Sequence, residues 1–386
     1  MTNLKILLII TKGEVGGAQV SVYNLAKGLK QKGHNVTVAF GKGNFLENKL
    51  KTEKINLVNF KNLLRTNNIF KNFLFLFEIK KFLDNNKFDI AHFNSANALF
   101  GAVGAKLSRN KPKTIFTVHG LSVLDKNYKT SFLIKKLYYL FFKIFLKFID
   151  KTIFVSNANL KVAAEIGIRT LSDKPDSVLI PISAAVIYNG IDKNNLNFLS
   201  KKQALNFLSN KLNINLSNFF IIGSVGRLAY PKNYEFLINN FLKIKEINSK
   251  IKLIIIGDGP DKLKYQKLIK QLELNDNIYL TGSLENASRY LKAFDLFVLP
   301  SIYEGLPITL IECLMTEIPV LVSNVGGNKE IVEDKRYLYA LNNKTEFLEK
   351  IGYILNNLDK FQVSDVRKNK FSLDKMVKKY EEVYIN

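Results

Sequence analysis

An alternation governs what this chain can fold into: short apolar runs end in glycine turns and pass into helix-length segments, and the series starts twice. The first series opens with an apolar run at 4–11, the turn Gly13-Glu14-Val15-Gly16-Gly17 and a helical stretch at 18–32. Strands are expected at 36–40, 89–93, 114–118 and 150–156, with helices near 69–83, 97–107 and 132–149 between them. Two apolar runs around 177–191 then give way to an Asn, Lys and Ser-rich stretch at 192–218, a composition change that marks a domain boundary. The second series opens at 219–225, followed by a turn at 226–233, further strands at 252–256 and 277–281, and the stretch 295–330. That stretch reads as strand, Gly/Pro-broken loop, helix, strand and Gly-Gly turn. Strands alternating with helices predict parallel sheets covered by helices, so the fold class is α/β with two doubly wound, Rossmann-like domains facing across a cleft. The predicted domains are 1–190 and 191–370, with an amphipathic helix in 371–386 packing back on the first.

Composition narrows the function classes. The 47% hydrophobic and 23% charged residues describe a globular chain. Its longest uncharged runs fall short of the ~18 apolar residues of a membrane span. The first ten residues lack the cationic start and small-residue cleavage site of a signal peptide. Cys313 is the only cysteine, which excludes an intramolecular disulfide and a cysteine-built metal site and points to the cytoplasm. A net charge of +24 invites a nucleic-acid partner, but only seven of the 57 basic residues are arginine and the lysines are scattered along the chain. A nucleic-acid site concentrates arginine and stacking aromatics on one face, so no nucleic acid is expected. The positive potential suits phosphorylated substrates or anionic lipid.

Several groups could carry chemistry. Arg227 and Lys232 lie in a turn after a strand, where they read as diphosphate partners or as two solvated cations. Glu304 and Glu312 stand eight residues apart around Gly305, Leu306, Pro307, Ile308 and Thr309. Pro307 suits a first helical turn, Gly305 leaves the backbone open, and the amides of 305–309 favour an anion at a helix start. The two carboxylates either accept sugar hydroxyls or simply cap and solvate the helix. His119 ends a strand beside Gly120 and is either a cleft residue or a structural one; His34 reads as structural, and His92 as cleft or core. No residue cluster has metal-ligand spacing. In the aromatic-rich helix 132–149, Lys136, Lys143 and Lys147 share a narrow arc. That pattern fits an interfacial helix with rings at the lipid headgroups, or a buried domain helix with one solvated lysine stripe.

Taken in order, Gly16-Gly17, His119-Gly120, the run from Val186 to Asp192, Gly226-Arg227-Leu228 with Lys232-Asn233, Gly257-Asp258-Gly259-Pro260, and Glu304 with Glu312 resemble the retaining glycosyltransferases of family four, of bacterial type and GT-B fold. The resemblance covers nearly the whole chain. It departs from the family pattern after Glu330, where Glu333-Asp334-Lys335-Arg336-Tyr337 replaces the usual Asp-Gly-x-Asn-Gly. The resemblance implies an acceptor-side first domain and a second domain that binds a nucleotide diphosphate sugar. Arg227 and Lys232 would neutralise the donor diphosphate and Gly16-Gly17 would approach it. Glu304 and the amides after it would hold the sugar, Glu312 the ribose, and His119 would touch the sugar near its reacting carbon. No cofactor or metal is implied for the chemistry. The expected reaction moves a hexose or N-acetylhexosamine to a cell-envelope glycan or lipid-linked acceptor at the inner face of the cell membrane. The alternatives are a GT-B sugar-nucleotide epimerase and an inactive membrane-surface scaffold.

Overall fold

Lys5–Ile10 (β1) is apolar at every position after its lysine, and all five of those residues are buried. A strand buried on both faces belongs inside a parallel sheet. The computed structural model describes residues 3–66, 68–170 and 180–386, with the side chains of 69, 168–170 and 180–182 outside the description. It divides into two compact units, residues 1–192 with 370–386, and residues 193–369. Each is a parallel α/β sheet.

In the first unit β1 is joined by Asn35–Phe40 (β2), Asn56–Asn59 (β3), Ile90–Phe93 (β4), Lys113–Val118 (β5), Lys151–Phe154 (β6) and, beyond the short pair Ile168–Thr170 (β7) and Ile180–Ile182 (β8), Ala184–Val186 (β9). The order is β3-β2-β1-β4-β5-β6-β9, parallel throughout. Part of the first apolar run near 177–191 lies outside the described residues. Period-two alternation sorts β1 between two cores. Leu7 and Ile9 face the layer built on helices Ile69–Asn85, Phe100–Leu107 and Phe132–Phe145. Ile6, Leu8 and Ile10 face helix Gly17–Gln31 and the terminal helix Leu373–Ile385, which contributes Met376, Val377, Tyr380 and Tyr384.

Burying those tyrosines requires partners for their hydroxyls. His92 on β4 provides one: its Nδ1 lies 2.8 Å from the Tyr384 hydroxyl and its Nε2 2.7 Å from Thr117, which lies 3.0 Å from the Tyr380 hydroxyl. Burial, with a smaller contribution from His119, lowers the His92 pKa to about 3, so it is a neutral core residue. His34 is structural too, accepting from the Leu4 amide and facing Glu381 at 3.0 Å.

The second unit orders Ile278–Leu280 (β12), Ile251–Ile256 (β11), Phe220–Val225 (β10), Leu296–Leu299 (β13), Val320–Ser323 (β14) and Leu338–Tyr339 (β15) as β12-β11-β10-β13-β14-β15. The polar stretch read as a boundary contains a helix, Lys201–Leu212, started by a capping box between Ser200 and Gln203. Its buried Ala204 and Leu208 are too few to give an apolar run, and Phe207 stacks on Tyr290 at 4.4 Å.

The aromatic helix divides its faces differently from either expectation. Phe142 and Leu146 are buried and Tyr138, Phe141 and Phe145 pack against the core, whereas Leu133, Leu137, Leu140 and Ile144 are exposed beside the lysines. Phe141, Phe142 and Phe145 point inward because ring-on-ring contacts with Phe100 and Phe116 fill the layer under β5.

Candidate active site

Strand order reverses direction between β10 and β13 in the second unit and between β1 and β4 in the first. At such a point adjacent strands send their following loops apart and leave a crevice at their carboxyl ends. The loop after β10 carries Arg227 and Lys232; the loop after β13 carries Glu304.

These two loops meet. Lys232 Nζ donates to Glu304 Oε1 at 2.6 Å, with the carboxylate mostly buried and the ammonium partly so. The Ser301 hydroxyl donates to the same oxygen at 2.6 Å, and the Ser323 hydroxyl at the end of β14 donates to the Ser301 carbonyl at 2.5 Å. The Ile302 amide donates to the Pro231 carbonyl at 2.9 Å, tying the loops through backbone as well. Arg227 is exposed and makes no hydrogen bond or ion pair among the described residues.

Two glycines permit this packing. Gly326 has φ +48°, and a Cβ there would fall 1.8 Å from the Glu304 carbonyl oxygen. Gly257, φ +154°, passes so close to the Arg227 turn that a Cβ would lie 1.9 Å from the Gly226 carbonyl oxygen.

Gly305 and Leu306 lead into helix Ile308–Thr316, with Pro307 at the N-cap rather than inside the first turn, and no side chain caps it. Pro307 is extended (φ −70°, ψ 119°), and its carbonyl accepts from the Leu310 and Ile311 amides. Glu312 therefore stands on the second turn. Burial raises its pKa to about 7, opposed by a hydrogen bond from Ser288. Ser288 and Ser301 escaped the sequence reading. Ser301 is three residues before Glu304 in a turn, a legible spacing, whereas nothing in the sequence links Ser288 to Glu312. After Glu330, where the family pattern breaks, Glu333 turns the chain at φ +61° and Asp334 caps the next turn through the Arg336 amide.

In the first unit, Gly16 is the N-cap of Gly17–Gln31, again with no side-chain cap, after β1. His119 follows β5, and its Nε2 lies 3.2 Å from Asn94 Oδ1. Asn94 Nδ2 donates to the His92 carbonyl, so Oδ1 accepts and the proton sits on His119 Nε2. Its Nδ1 is then a bare acceptor, buried without a partner. Burial lowers the His119 pKa to about 4, so the ring is neutral at pH 7.

Residues 15–195 match the family described as Glycosyltransferase Family 4, and residues 207–368 match Glycosyl transferases group 1. The chain belongs to the GT-B glycosyltransferases, with a bacterial-type family-four first unit and a group 1 second unit. It is 29% identical, over 84% of its length and 82% of the relative's, to the UDP-Gal:alpha-D-GlcNAc-diphosphoundecaprenol alpha-1,3-galactosyltransferase of Escherichia coli. It is 26% identical over 98% of both chains to the Escherichia coli O-antigen biosynthesis glycosyltransferase WbnH. The Anabaena HepE protein, solved in complex with UDP and glucose, superposes with a TM-score of 0.81 over 100% of both chains at 19% identity, a likeness of fold.

Proposed function

We propose that this glycosyltransferase is a retaining enzyme that moves a hexose or N-acetylhexosamine from a nucleotide diphosphate sugar to a lipid-linked envelope glycan at the inner face of the cell membrane. The 2.6 Å contact between Lys232 and Glu304 carries the reading. A cation that suits a phosphate touches an acid that suits sugar hydroxyls, which is the order of groups along a sugar diphosphate. The named activities of the Escherichia coli relatives, one of which acts on a diphosphoundecaprenol-linked sugar, support the acceptor class.

On binding, the diphosphate takes Lys232 and the unpartnered Arg227, and amides of 305–309 at the helix start add to the positive field. Glu304, released by Lys232 and still held by Ser301, accepts donor-sugar hydroxyls, and Glu312 accepts the ribose hydroxyls. The acceptor oxygen bonds to the anomeric carbon on the face from which the diphosphate leaves. The carbon–phosphate oxygen bond breaks, and the acceptor proton passes to the departing phosphate. Stabilising that departing charge is the main catalytic contribution. No resident metal or cofactor is assigned, because Arg227, Lys232 and the amides meet the charge.

Transfer by the wild type, Lys232→Ala and Glu304→Ala tests the site, with mass spectrometry of a donor panel as readout. Each variant should lose transfer by on the order of 10²-fold or more while remaining folded, with a melting temperature lowered by the loss of the ion-pair partner. Wild-type rates in either remove the site, an inverted anomeric configuration in the product removes the retaining mechanism, and free epimerised sugar formed without acceptor would replace transfer by epimerisation.

A further inference from the structure

Helix Ile69–Asn85 buries one face and leaves a second apolar stripe with nothing over it. Phe70, Phe73, Leu74 and Phe77 recur at helical spacing on that exposed side, Phe70 at 71% and Phe77 at 62% exposure. A soluble surface rarely presents three phenylalanines in line. The aromatic helix Phe132–Phe145 repeats the pattern: Phe132 is 81% exposed, Leu133 64% and Leu137 58%, and Leu140 and Ile144 continue the stripe.

The two helices are linked by one ring system that runs through the core. Phe73 meets Phe100 edge-on at 6.1 Å, and Phe100 meets Phe145 at 4.5 Å and Phe141 at 5.6 Å. Both helices therefore flank Phe100 in the same layer of the first unit. Between the exposed leucines stand Lys136, Lys143 and Lys147, exposed and without an ion pair among the described residues. From Lys126 to Ile149 there is no acidic residue.

We propose that these two helices form one docking platform for an anionic lipid bilayer, the phenylalanine and leucine stripes entering the headgroup boundary and the three lysines meeting lipid phosphates. Charge selects this occupant. A second copy of the chain would set the same lysines against each other, with no carboxylate on the aromatic helix to answer them. A membrane span is not available, since among the described residues no helix is long and apolar enough to cross. Apolar side chains flanked by lysines, on helices lying flat against the unit, suit an interface instead. The platform deepens the reading of a lipid-linked acceptor, since it would hold the first unit at the surface where such an acceptor's sugar emerges. Bilayer binding itself does not depend on that reading.

Sedimentation of the full chain with vesicles tests this, using phosphatidylcholine alone and equal parts phosphatidylcholine and phosphatidylglycerol. The wild type should pellet with the anionic vesicles and far less with the neutral ones. Phe70→Ser with Phe77→Ser should weaken binding by on the order of tenfold per ring removed. Lys136→Gln, Lys143→Gln and Lys147→Gln together should weaken it about fivefold per lysine on anionic vesicles only. Both variants should keep the wild-type melting temperature and transfer to a short-chain, water-soluble acceptor. The platform is overturned if the wild type ignores anionic vesicles, if the phenylalanine variant binds as well as wild type, or if the free protein dimerises through this face and the phenylalanine variant abolishes that. Intact vesicle binding with no transfer to any acceptor would sink the proposed function and leave the platform standing.

Discussion

Replacing Glu312 by Gln should stabilise the ligand-free protein at alkaline pH and cripple its donor binding. Burial raises this carboxyl from an ordinary 4.5 to about 7, with the Ser288 hydrogen bond opposing the rise. The sign follows from linkage. Between those two values the folded chain holds a proton that the unfolded chain has released, so folding stability falls as pH climbs through that window. Below it Glu312 makes no difference; above about 7 the full penalty of a desolvated carboxylate is present. Each tenfold change in proton affinity is worth about 1.4 kcal/mol, which gives roughly 3 kcal/mol, and because the side chain is partly exposed about 2 kcal/mol survives solvent screening. Glutamine keeps the shape and can still bond Ser288, but carries no charge. For a unit of this size 2 kcal/mol corresponds to a rise of about 4–8 °C in Tm. Thermal melts across pH provide the assay: the variant should match wild type near pH 5 and gain at pH 8. Calorimetric titration with UDP and GDP should show the opposite, a weaker nucleotide complex in the variant, and wild-type binding near pH 6 should release protons. A glutamine variant that melts at or below the wild-type temperature at pH 8 would refute the account of Glu312 as a charge held at the expense of stability.

Gly326→Ala tests the backbone under Glu304. The left-handed φ costs about 1–2 kcal/mol for a residue with a side chain, and the Cβ 1.8 Å from the Glu304 carbonyl forces that loop to move. Transfer should fall by on the order of 10²-fold alongside a lowered melting temperature; an unchanged rate would mean that the position of Glu304 is not needed. Tyr384→Phe leaves His92 Nδ1 buried without its 2.8 Å partner and should cost about 1–3 kcal/mol in denaturant melts. Because His92 titrates near 3, the loss should be the same from pH 6 to pH 8, with transfer unaffected; a loss confined to one end of that range would contradict a neutral histidine.

Much of the fold was legible because buried parallel strands read as uninterrupted apolar runs: β1, β10, β11 and the two strands around Glu304 and Glu312 all do so. Strand β3 does not, since its residues are only half-buried and flanked by asparagines. Helix Lys201–Leu212 was hidden by composition, because a helix that buries two small patches needs few apolar residues and its lysines and asparagines look like linker. The site was legible as loops at strand ends, each read separately. What joins them is strand order: β10 lies beside β13 although about seventy residues and two other strands separate them in sequence, and register between distant strands leaves no local pattern. The exposed stripe on Ile69–Asn85 was missed for a related reason. A helix apolar on nearly every face reads as core, and only packing reveals which phenylalanines the core leaves out.

That Lys232 and Glu304 are already paired without a ligand follows from the same juxtaposition. A mostly buried carboxylate beside a partly buried ammonium is tolerable only as a pair, since either alone would carry its desolvation cost unanswered. The pair therefore holds two loops of the crevice in place, with Ser301 bonded to the same carboxylate oxygen as Lys232. On the proposed reading, a diphosphate would exchange one anionic partner of Lys232 for another, so the lysine would never stand uncompensated, and Glu304 would pass from an ammonium to neutral hydroxyls while keeping its serine. A ligand with phosphate alone would leave the displaced Glu304 buried with only Ser301, and a sugar alone could not displace the lysine. The proposed preference for a molecule that presents both groups side by side would then come from the cost of separating one ion pair rather than from any single strong contact.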